Sequence, residues 1–250
     1  MAGARRTLLL DAGSSAAHAR SFLEALADAG VAPPSLVVLT HSHWDHVFGA
    51  AELEVPVVAQ ARTAEYLKEL ADLEWSDEAL DRRRAAGEVS QFHVDNVKQE
   101  LPAPRDVRVA AADVVFEDSL TIELGDVTVR ARHLANDHTD DGCVLLVEPD
   151  RVLFVGDATY DSTDGRLTTA LAFPLYDGLL ELDPLQVVEG HNDVVFSRAQ
   201  FDEWERKVRS AGALVARVGA DEDAIAAELG EAPDEDTSAL VRAFAAGLTA

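Results

Sequence analysis

The sequence predicts an α/β fold, and three patterns along the chain support this prediction. A β-branched and leucine-rich run at residues 7–10 is followed by an alanine-rich stretch with helical spacing at 16–30 and by a second apolar run at 36–40. These runs predict a strand, a helix and a strand. Strand-like alternation then fills the middle of the chain, and helical patterns return near its carboxyl end.

The remaining elements follow from turn signals and periodicity. Residues 61–101 have a helical and highly charged pattern that ends at Pro102 and Pro104, which predicts a helical insertion. Residues 197–250 predict a helical tail. With no repeat or linker in view, we expect one domain over residues 1–250. Further strands are predicted at 55–59, 107–111, 120–124, 127–131, 144–147 and 152–155.

Charge and hydropathy exclude several kinds of partner. A net charge of −25 would repel phosphate backbones and anionic lipid, so we expect a small-molecule substrate and neither nucleic acid nor membrane. No apolar run is long enough to span a bilayer. Only Leu8, Leu9 and Leu10 follow Arg5 and Arg6, too short a run for secretion, so we expect a cytoplasmic protein. Whether the chain forms a homodimer is left open.

Four potential metal ligands follow the strand predicted at 36–40: His41, His43, Asp45 and His46. Side chains two apart at a strand end share a face, so His41 and His43 can bind one ion together. Asp45 and His46 would face a neighbouring position as the chain turns toward a helix. Without a metal, each of these side chains would need its own hydrogen-bond partner. The cluster therefore indicates a metal site, and by itself leaves open whether one ion or two bind.

This loop resembles the signature of the metallo-β-lactamase superfamily, His-x-His-x-Asp-His after a strand, then an isolated histidine, an aspartate after a strand and a final histidine. His138 precedes the strand predicted at 144–147, Asp157 ends the next strand, and His191 comes later in the chain. Asp11 matches a family aspartate that accepts a hydrogen bond from the histidine loop. The resemblance covers residues 7 to about 195.

The resemblance implies a four-layer αββα sandwich and a centre of two divalent ions. Zn²⁺ suits imidazole and carboxylate ligands best, with Fe or Mn as alternatives. Family members normally carry one or two strands before the segment that matches residues 7–11, so the first strand or strands are expected to be missing here. The implied ligands are His41, His43 and His138 on the first ion, Asp45, His46 and His191 on the second, and Asp157 as the bridge.

The resemblance also implies two catalytic residues, Asp45 and Tyr160. Tyr160 stands three residues after Asp157, where lactonases of this superfamily place a tyrosine that hydrogen-bonds the substrate carbonyl. A phenol there could stabilise a developing oxyanion. His93, in the helical segment, is expected on the surface, with a role in covering the pocket as the alternative.

The leading functional hypothesis is hydrolysis of a small ester, lactone or thioester by a hydroxide held between two ions. The ligand set resembles that of glyoxalase II and the lactonases, because true β-lactamases lack an aspartate bridge. The alternative is a persulfide dioxygenase, which uses the same first triad around one iron. Nucleic-acid processing is disfavoured by the acidic surface, and a non-catalytic relative by the fact that every ligand position is filled.

Overall fold

The protein is described from a computed structural model, which covers residues 1–230 and 233–248. The chain divides into two compact units, Met1–His133 and Leu134–Ala250. Each unit has its own cluster of buried apolar side chains. The expectation of one domain over residues 1–250 stays a prediction.

The first unit contains a parallel sheet of four strands in the order β1-β2-β3-β4 and an antiparallel pair, β5 and β6. Neighbouring strands of the parallel sheet are joined by helical connections, as parallel pairing requires. Its elements in chain order are β1 (Leu8–Leu10), α1 (Ala16–Asp28), β2 (Leu36–Val38), α2 (Trp44–Val47), α3 (Ala50–Leu53), β3 (Val57–Gln60), α4 (Ala61–Ala71), α5 (Asp77–Ala85), α6 (Gln91–Glu100), β4 (Val114–Phe116), β5 (Ser119–Glu123) and β6 (Thr128–His133).

The first strand–helix–strand prediction is confirmed by β1, α1 and β2. Ser15 caps α1, because its side-chain oxygen accepts a hydrogen bond from the backbone N–H of His18 at 3.0 Å. Strand β1 lies at one edge of the parallel sheet, and the residues before it form an isolated bridge between Ala2 and Thr7. The parallel register, in which Leu9 pairs with Val37, brings the carboxyl ends of β1 and β2 together.

The helical pattern at 61–101 corresponds to α4, α5 and α6, so the helical prediction is confirmed, while its status as an insertion stays a prediction. Ser76 and Ser90 cap the second and third of these helices. Helix α6 buries Val94 and Val97 in the same apolar cluster as Val37 of β2. The helical segment therefore packs on the sheet whose strand β2 leads into the predicted ligand loop.

The strand predicted at 107–111 is wrong. This stretch has no strand pairing in the structure, although Val107, Val109 and Ala110 pack against the apolar cluster of the first unit. The strand next to β3 is instead β4, where Val58 pairs with Val114. The alternation at 107–111 therefore reflects one-sided burial of an extended segment.

The second unit contains strands in the order β7-β8-β9-β10, paired antiparallel, parallel and antiparallel. The helix predicted from residue 197 extends to Val218 and begins with a capping box between Ser197 and Gln200. The elements are β7 (Cys143–Glu148), β8 (Val152–Gly156), α7 (Thr169–Glu181), β9 (Gln186–Glu189), β10 (Val195–Ser197), α8 (Arg198–Val218), α9 (Glu222–Leu229) and α10 (Glu235–Gly247).

The helical tail is confirmed over α8, α9 and α10, while residues 231–232 and 249–250 of the predicted tail lie outside the described residues. Helix α10 packs on α8 through Leu240 and Phe244, which belong to the core of the second unit. Among the residues that the structure describes, no helix is both long enough and apolar enough to cross a membrane.

Candidate metal centre

The predicted ligands of the first unit converge at the end of β2. His43 has an extended backbone and is the N-cap of the short helix α2, so the turn begins immediately after it. The ring centroid of His41 lies 4.5 Å from that of His43 and 4.1 Å from that of His46. The Nε2 atom of His46 lies 3.8 Å from Oδ2 of Asp45. The loop thus gathers all four of its donors as the sequence predicted.

Asp11, which follows β1, holds this loop. Its Oδ1 accepts a hydrogen bond from the backbone N–H of Thr40 at 2.7 Å, and its Oδ2 accepts one from the Thr40 hydroxyl at 2.8 Å. Oδ2 also lies 2.8 Å from Nδ1 of His46. Because a carboxylate only accepts, Nδ1 of His46 carries the proton and Nε2 is left as the metal-binding atom.

The same reasoning fixes the tautomer of His41. The Thr40 hydroxyl gives its one proton to Asp11, so at 3.0 Å from Nδ1 of His41 it accepts a hydrogen bond from that nitrogen. His41 therefore presents Nε2 to a metal. Its side chain is only 1% exposed, so its orientation is set by packing as well as by this hydrogen bond.

The predicted ligands of the second unit converge on Asp157. Strand β8 ends at Gly156, whose φ of +53° turns the chain sharply, and Asp157 follows with only 4% exposure. Its Oδ2 lies 3.1 Å from Nε2 of His191 and 3.5 Å from Nε2 of His138. Nδ1 of His138 donates to the carbonyl of Asp161 at 2.8 Å, which leaves Nε2 facing the carboxylate.

These distances fit a metal. Ligand atoms bound to one tetrahedral Zn²⁺ lie about 3.3 Å apart, as follows from bond lengths of about 2.0 to 2.1 Å. The separations between donors within each unit, from 3.1 to 3.8 Å, are close to this value. The predicted histidines and aspartates belong to groups of side chains that could hold a metal ion. Imidazole and carboxylate donors suit Zn²⁺, Fe and Mn.

Tyr160 lies beside the donors of the second unit. Its hydroxyl accepts a long hydrogen bond, 3.4 Å, from the backbone N–H of His191, and its ring centroid is 6.2 Å from that of His191. Burial, with smaller contributions from Glu189 and Asp157, raises the pKa of Tyr160 to about 12. The phenol is therefore protonated at neutral pH and keeps a proton to donate. Its catalytic role stays a prediction.

His93 is not on the open surface, contrary to the expectation. It is half-buried on α6, with its ring centroid 6.3 Å from that of Trp44, and its Nε2 is shielded from solvent. Burial, followed by the positive charge of Arg83, lowers the pKa of His93, while the negative charge of Asp45 opposes this shift. The expectation of exposure came from the place of His93 in a charged helical segment, but the ring beside His93 is a tryptophan distant in sequence.

Two further contacts could not be predicted. The backbone carbonyl of Asp161 orients His138, and any residue could supply it, so no side-chain pattern signals it. The Thr159 hydroxyl donates to Glu189 at 2.8 Å, a pair that joins the loop after β8 to the end of β9, 30 residues away in sequence. Neither belongs to a motif with a fixed spacing.

Comparison with known proteins decides the family. A family model described as the metallo-beta-lactamase superfamily matches residues 1–215. The chain belongs to the metallo-β-lactamase superfamily. Most members of this superfamily are hydrolytic metalloenzymes. A comparison with curated protein sequences finds no significant match.

Solved structures show that the superfamily fold is present. A metallo-β-lactamase family protein from Thermus thermophilus is 20% identical, with a TM-score of 0.58 over 97% of this chain and 84% of that chain. A metallo-β-lactamase from Pontibacter korlensis is 17% identical, with a TM-score of 0.57 over 80% of each chain. A double mutant of the sec-alkyl sulfatase PisA1 is 16% identical, with a TM-score of 0.65 over 97% of this chain but only 46% of that chain. The predicted α/β fold of the metallo-β-lactamase type is confirmed.

Proposed function

We propose that this chain is a metal-dependent hydrolase that cleaves a small ester, lactone or thioester. The observation that carries the proposal is the position of Asp157, one oxygen of which lies within 3.5 Å of imidazole nitrogens from both His138 and His191. A carboxylate shared in this way suits a ligand that bridges two ions. An aspartate bridge is the feature by which the sequence resembles glyoxalase II and the lactonases.

The proposed centre holds two divalent ions, Zn²⁺ by preference and Fe or Mn as alternatives. When bound, such a pair lowers the pKa of a shared water toward neutrality and polarises the bond under attack. Proposed ligands are His41, His43 and His138 for the first ion, Asp45, His46 and His191 for the second, and Asp157 between them.

The chain's own residues supply orientation and proton placement. Asp11 holds the proton of His46 on Nδ1, and the Asp161 carbonyl holds that of His138 on Nδ1, so both rings keep Nε2 free of protons. Asp45 adds a carboxylate beside His46. Tyr160 would donate its phenolic proton in a hydrogen bond to the substrate carbonyl oxygen as negative charge develops there.

We also propose a small-molecule substrate and a cytoplasmic location. A net charge of −25 supports the first by disfavouring nucleic acid and anionic membrane surfaces. A homodimer stays a prediction, which light scattering on the purified protein would check.

The test combines elemental analysis with a substrate panel. The purified protein should contain about two ions per chain and hydrolyse at least one compound among lactones, thioesters and aryl esters. His43→Ala should lose metal and activity. His18→Ala is the matched control, because His18 is exposed on α1 and contacts Ser14; it should behave as wild type.

Three results would count against the proposal. Equal hydrolysis by wild type and His43→Ala would show that the metal loop is not needed for the reaction. A metal-loaded wild type that hydrolyses nothing in the panel would remove the ester, lactone or thioester assignment. One iron per chain with oxygen consumption on a persulfide would favour the dioxygenase alternative.

A further inference from the structure

A side-chain hydrogen bond joins the loop that presents Asp157 to the end of the strand that leads to His191. Thr159 lies two residues after Asp157, and its hydroxyl donates to Oε1 of Glu189 at 2.8 Å. Glu189 is the last residue of β9 and lies two residues before His191. The bond therefore ties the loop after β8 to the end of β9, where Glu189 also pairs with Gly156, next to both proposed ligands.

His191 needs support from its surroundings. Its side chain is 51% exposed, and residues 190–194 between β9 and β10 are all exposed, so core packing does not fix this loop. Near His191, the backbone N–H of Gly190 donates to the carbonyl of Gly156 at 2.9 Å. The contact from the His191 N–H to the Tyr160 hydroxyl is long, at 3.4 Å. The bond between Thr159 and Glu189 is shorter than either and involves a charged acceptor, which strengthens it.

Charge adds to this argument. Both Thr159 and Glu189 are half-buried, so their hydrogen bond is less exposed to competing water than a surface pair. Glu189 is an acidic residue two positions before His191. A negative charge at this place also favours a nearby cation.

We propose that Thr159 and Glu189 are positioning residues that hold His191 against Asp157 and thereby set the affinity for the second ion. The proposal rests on the proposed function, since it assumes that His191 and Asp157 bind metal. Neither residue touches substrate in this scheme. Losing the hydrogen bond would let the exposed loop move. Since Thr159 acts through Glu189 and not on a ligand directly, we expect metal affinity to fall by about 10-fold, the lower end of the loss when a direct hydrogen-bond partner of a ligand is removed.

The experiment compares four variants of the full chain. Thr159→Val removes the hydroxyl at constant shape, Thr159→Ser restores it, and Glu189→Gln keeps an acceptor but removes the charge. Thr128→Val is the matched control, because the Thr128 hydroxyl donates to Glu123 at 3.0 Å on an exposed strand pair of the other unit. Each protein is loaded with Zn²⁺ and titrated with a chelator while ions retained per chain are counted.

Thr159→Val should lose one ion at a chelator concentration about 10-fold lower than wild type, the lower end of the loss for a direct partner of a ligand, and should keep the other ion. Thr159→Ser and Thr128→Val should match wild type. The affinity of Glu189→Gln for the second ion should lie between those of wild type and Thr159→Val, because the hydrogen bond survives without the negative charge. Wild-type affinity for both ions in Thr159→Val, or an equal loss in Thr128→Val, would overturn the proposal.

A second readout does not depend on metal. In metal-free protein, the backbone amides of Gly190 and His191 should exchange hydrogen faster in Thr159→Val than in wild type, and at the wild-type rate in Thr159→Ser. Unchanged exchange would also overturn the proposal. Failure of the proposed function is visible separately, in a wild type that holds fewer than two ions or hydrolyses nothing in the panel.

Discussion

Asp11 accepts a hydrogen bond from Nδ1 of His46 at 2.8 Å from a backbone conformation that aspartate adopts only rarely, with φ of +54°. The same carboxylate accepts hydrogen bonds from the backbone N–H and the hydroxyl of Thr40. Three donors thus compensate the cost of the left-handed conformation. Through these hydrogen bonds, Asp11 links the end of β1 to the ligand loop after β2.

Asp11→Asn should weaken metal binding about 10–100-fold, because its amide nitrogen cannot accept the proton of His46 Nδ1. Asparagine tolerates positive φ, so the backbone should be kept. The free energy of unfolding of the metal-free protein should fall by about 1–3 kcal/mol, since a partly buried donor loses its acceptor. Metal titration and denaturant unfolding measure the two effects.

Asp113→Asn is the control, because the Asp113 carboxylate accepts a hydrogen bond from the Val57 N–H at 2.8 Å. The metal affinity of this variant should be that of wild type. An Asp11→Asn protein with wild-type metal affinity would contradict the role of Asp11 in orienting His46.

Tyr160→Phe should reduce kcat by at least about 100-fold, the lower end of the loss when one oxyanion donor is removed. Both ions should remain, because the bond between Thr159 and Glu189 is untouched. Steady-state kinetics on the best substrate and ion counting test this together. Tyr66→Phe, on α4, is the control and should keep wild-type kinetics. If kcat is unchanged in Tyr160→Phe, the phenol has no part in the reaction.

Gly49→Ala should destabilise the first unit. A Cβ at Gly49 would lie 2.1 Å from the carbonyl oxygen of Ala12 and 2.9 Å from Cβ of Ala19, so the segment after Asp11 would have to move. Overpacking of this kind costs about 1–3 kcal/mol. Because the N–H of Gly49 also donates to the carbonyl of Gly13, the shift should lower metal affinity as well. Denaturant unfolding gives the first quantity and metal titration the second.

Gly178→Ala is the contrasting variant. Its new Cβ would meet Cδ2 of Leu134 at 2.8 Å, the movable end of a flexible side chain, and alanine is favoured over glycine within α7 by up to about 1 kcal/mol. We expect stability equal to or above that of wild type. A Gly49→Ala protein as stable as Gly178→Ala would show that the backbone of Ala12 does not pack closely against Gly49.

His93→Gln should reduce the pH dependence of stability on the acid side. Burial holds the pKa of His93 below its usual value, so the unfolded chain binds this proton at a higher pH than the folded chain does. The resulting loss of stability begins as pH falls through about 6.5, the pKa of an unperturbed histidine, and stops below the folded-state pKa. Glutamine has no such titration. Denaturant unfolding of both proteins from pH 7.5 to 5 measures the difference, and parallel curves would show that His93 does not titrate differently on folding.

The places of the candidate ligands could be predicted because they lie close to strand ends. His41 comes three residues after the end of β2, and Asp157 follows β8 directly, so an apolar run that leads into a donor marks each place. The burial of His93 could not be predicted, because it depends on contact with Trp44 across a sequence distance that periodicity does not report. The Thr159–Glu189 bond escaped prediction for the same reason.

The parallel sheet shows a second limit. Val107 and Val109 alternate like a strand but only pack against the core, whereas Val114 and Val115 form β4 although they are 43% and 53% exposed. Apolar alternation reports which side of an extended segment is covered. It does not report whether the backbone has a hydrogen-bonding neighbour, which depends on residues far along the chain.

Strands β3 and β4 are adjacent and parallel, yet helices α4, α5 and α6 lie between them in sequence. Doubling the length of such a connection costs only about 0.6 kcal/mol in closure entropy. The segment can therefore be exchanged for one of another length without breaking the pairing of Val58 with Val114, provided that a replacement restores the apolar cover now given by Val94 and Val97. Grafting a different crossover onto an unchanged sheet is accordingly a practical way to replace the surface that His93 presents beside Trp44 while the sequence of the histidine loop is kept.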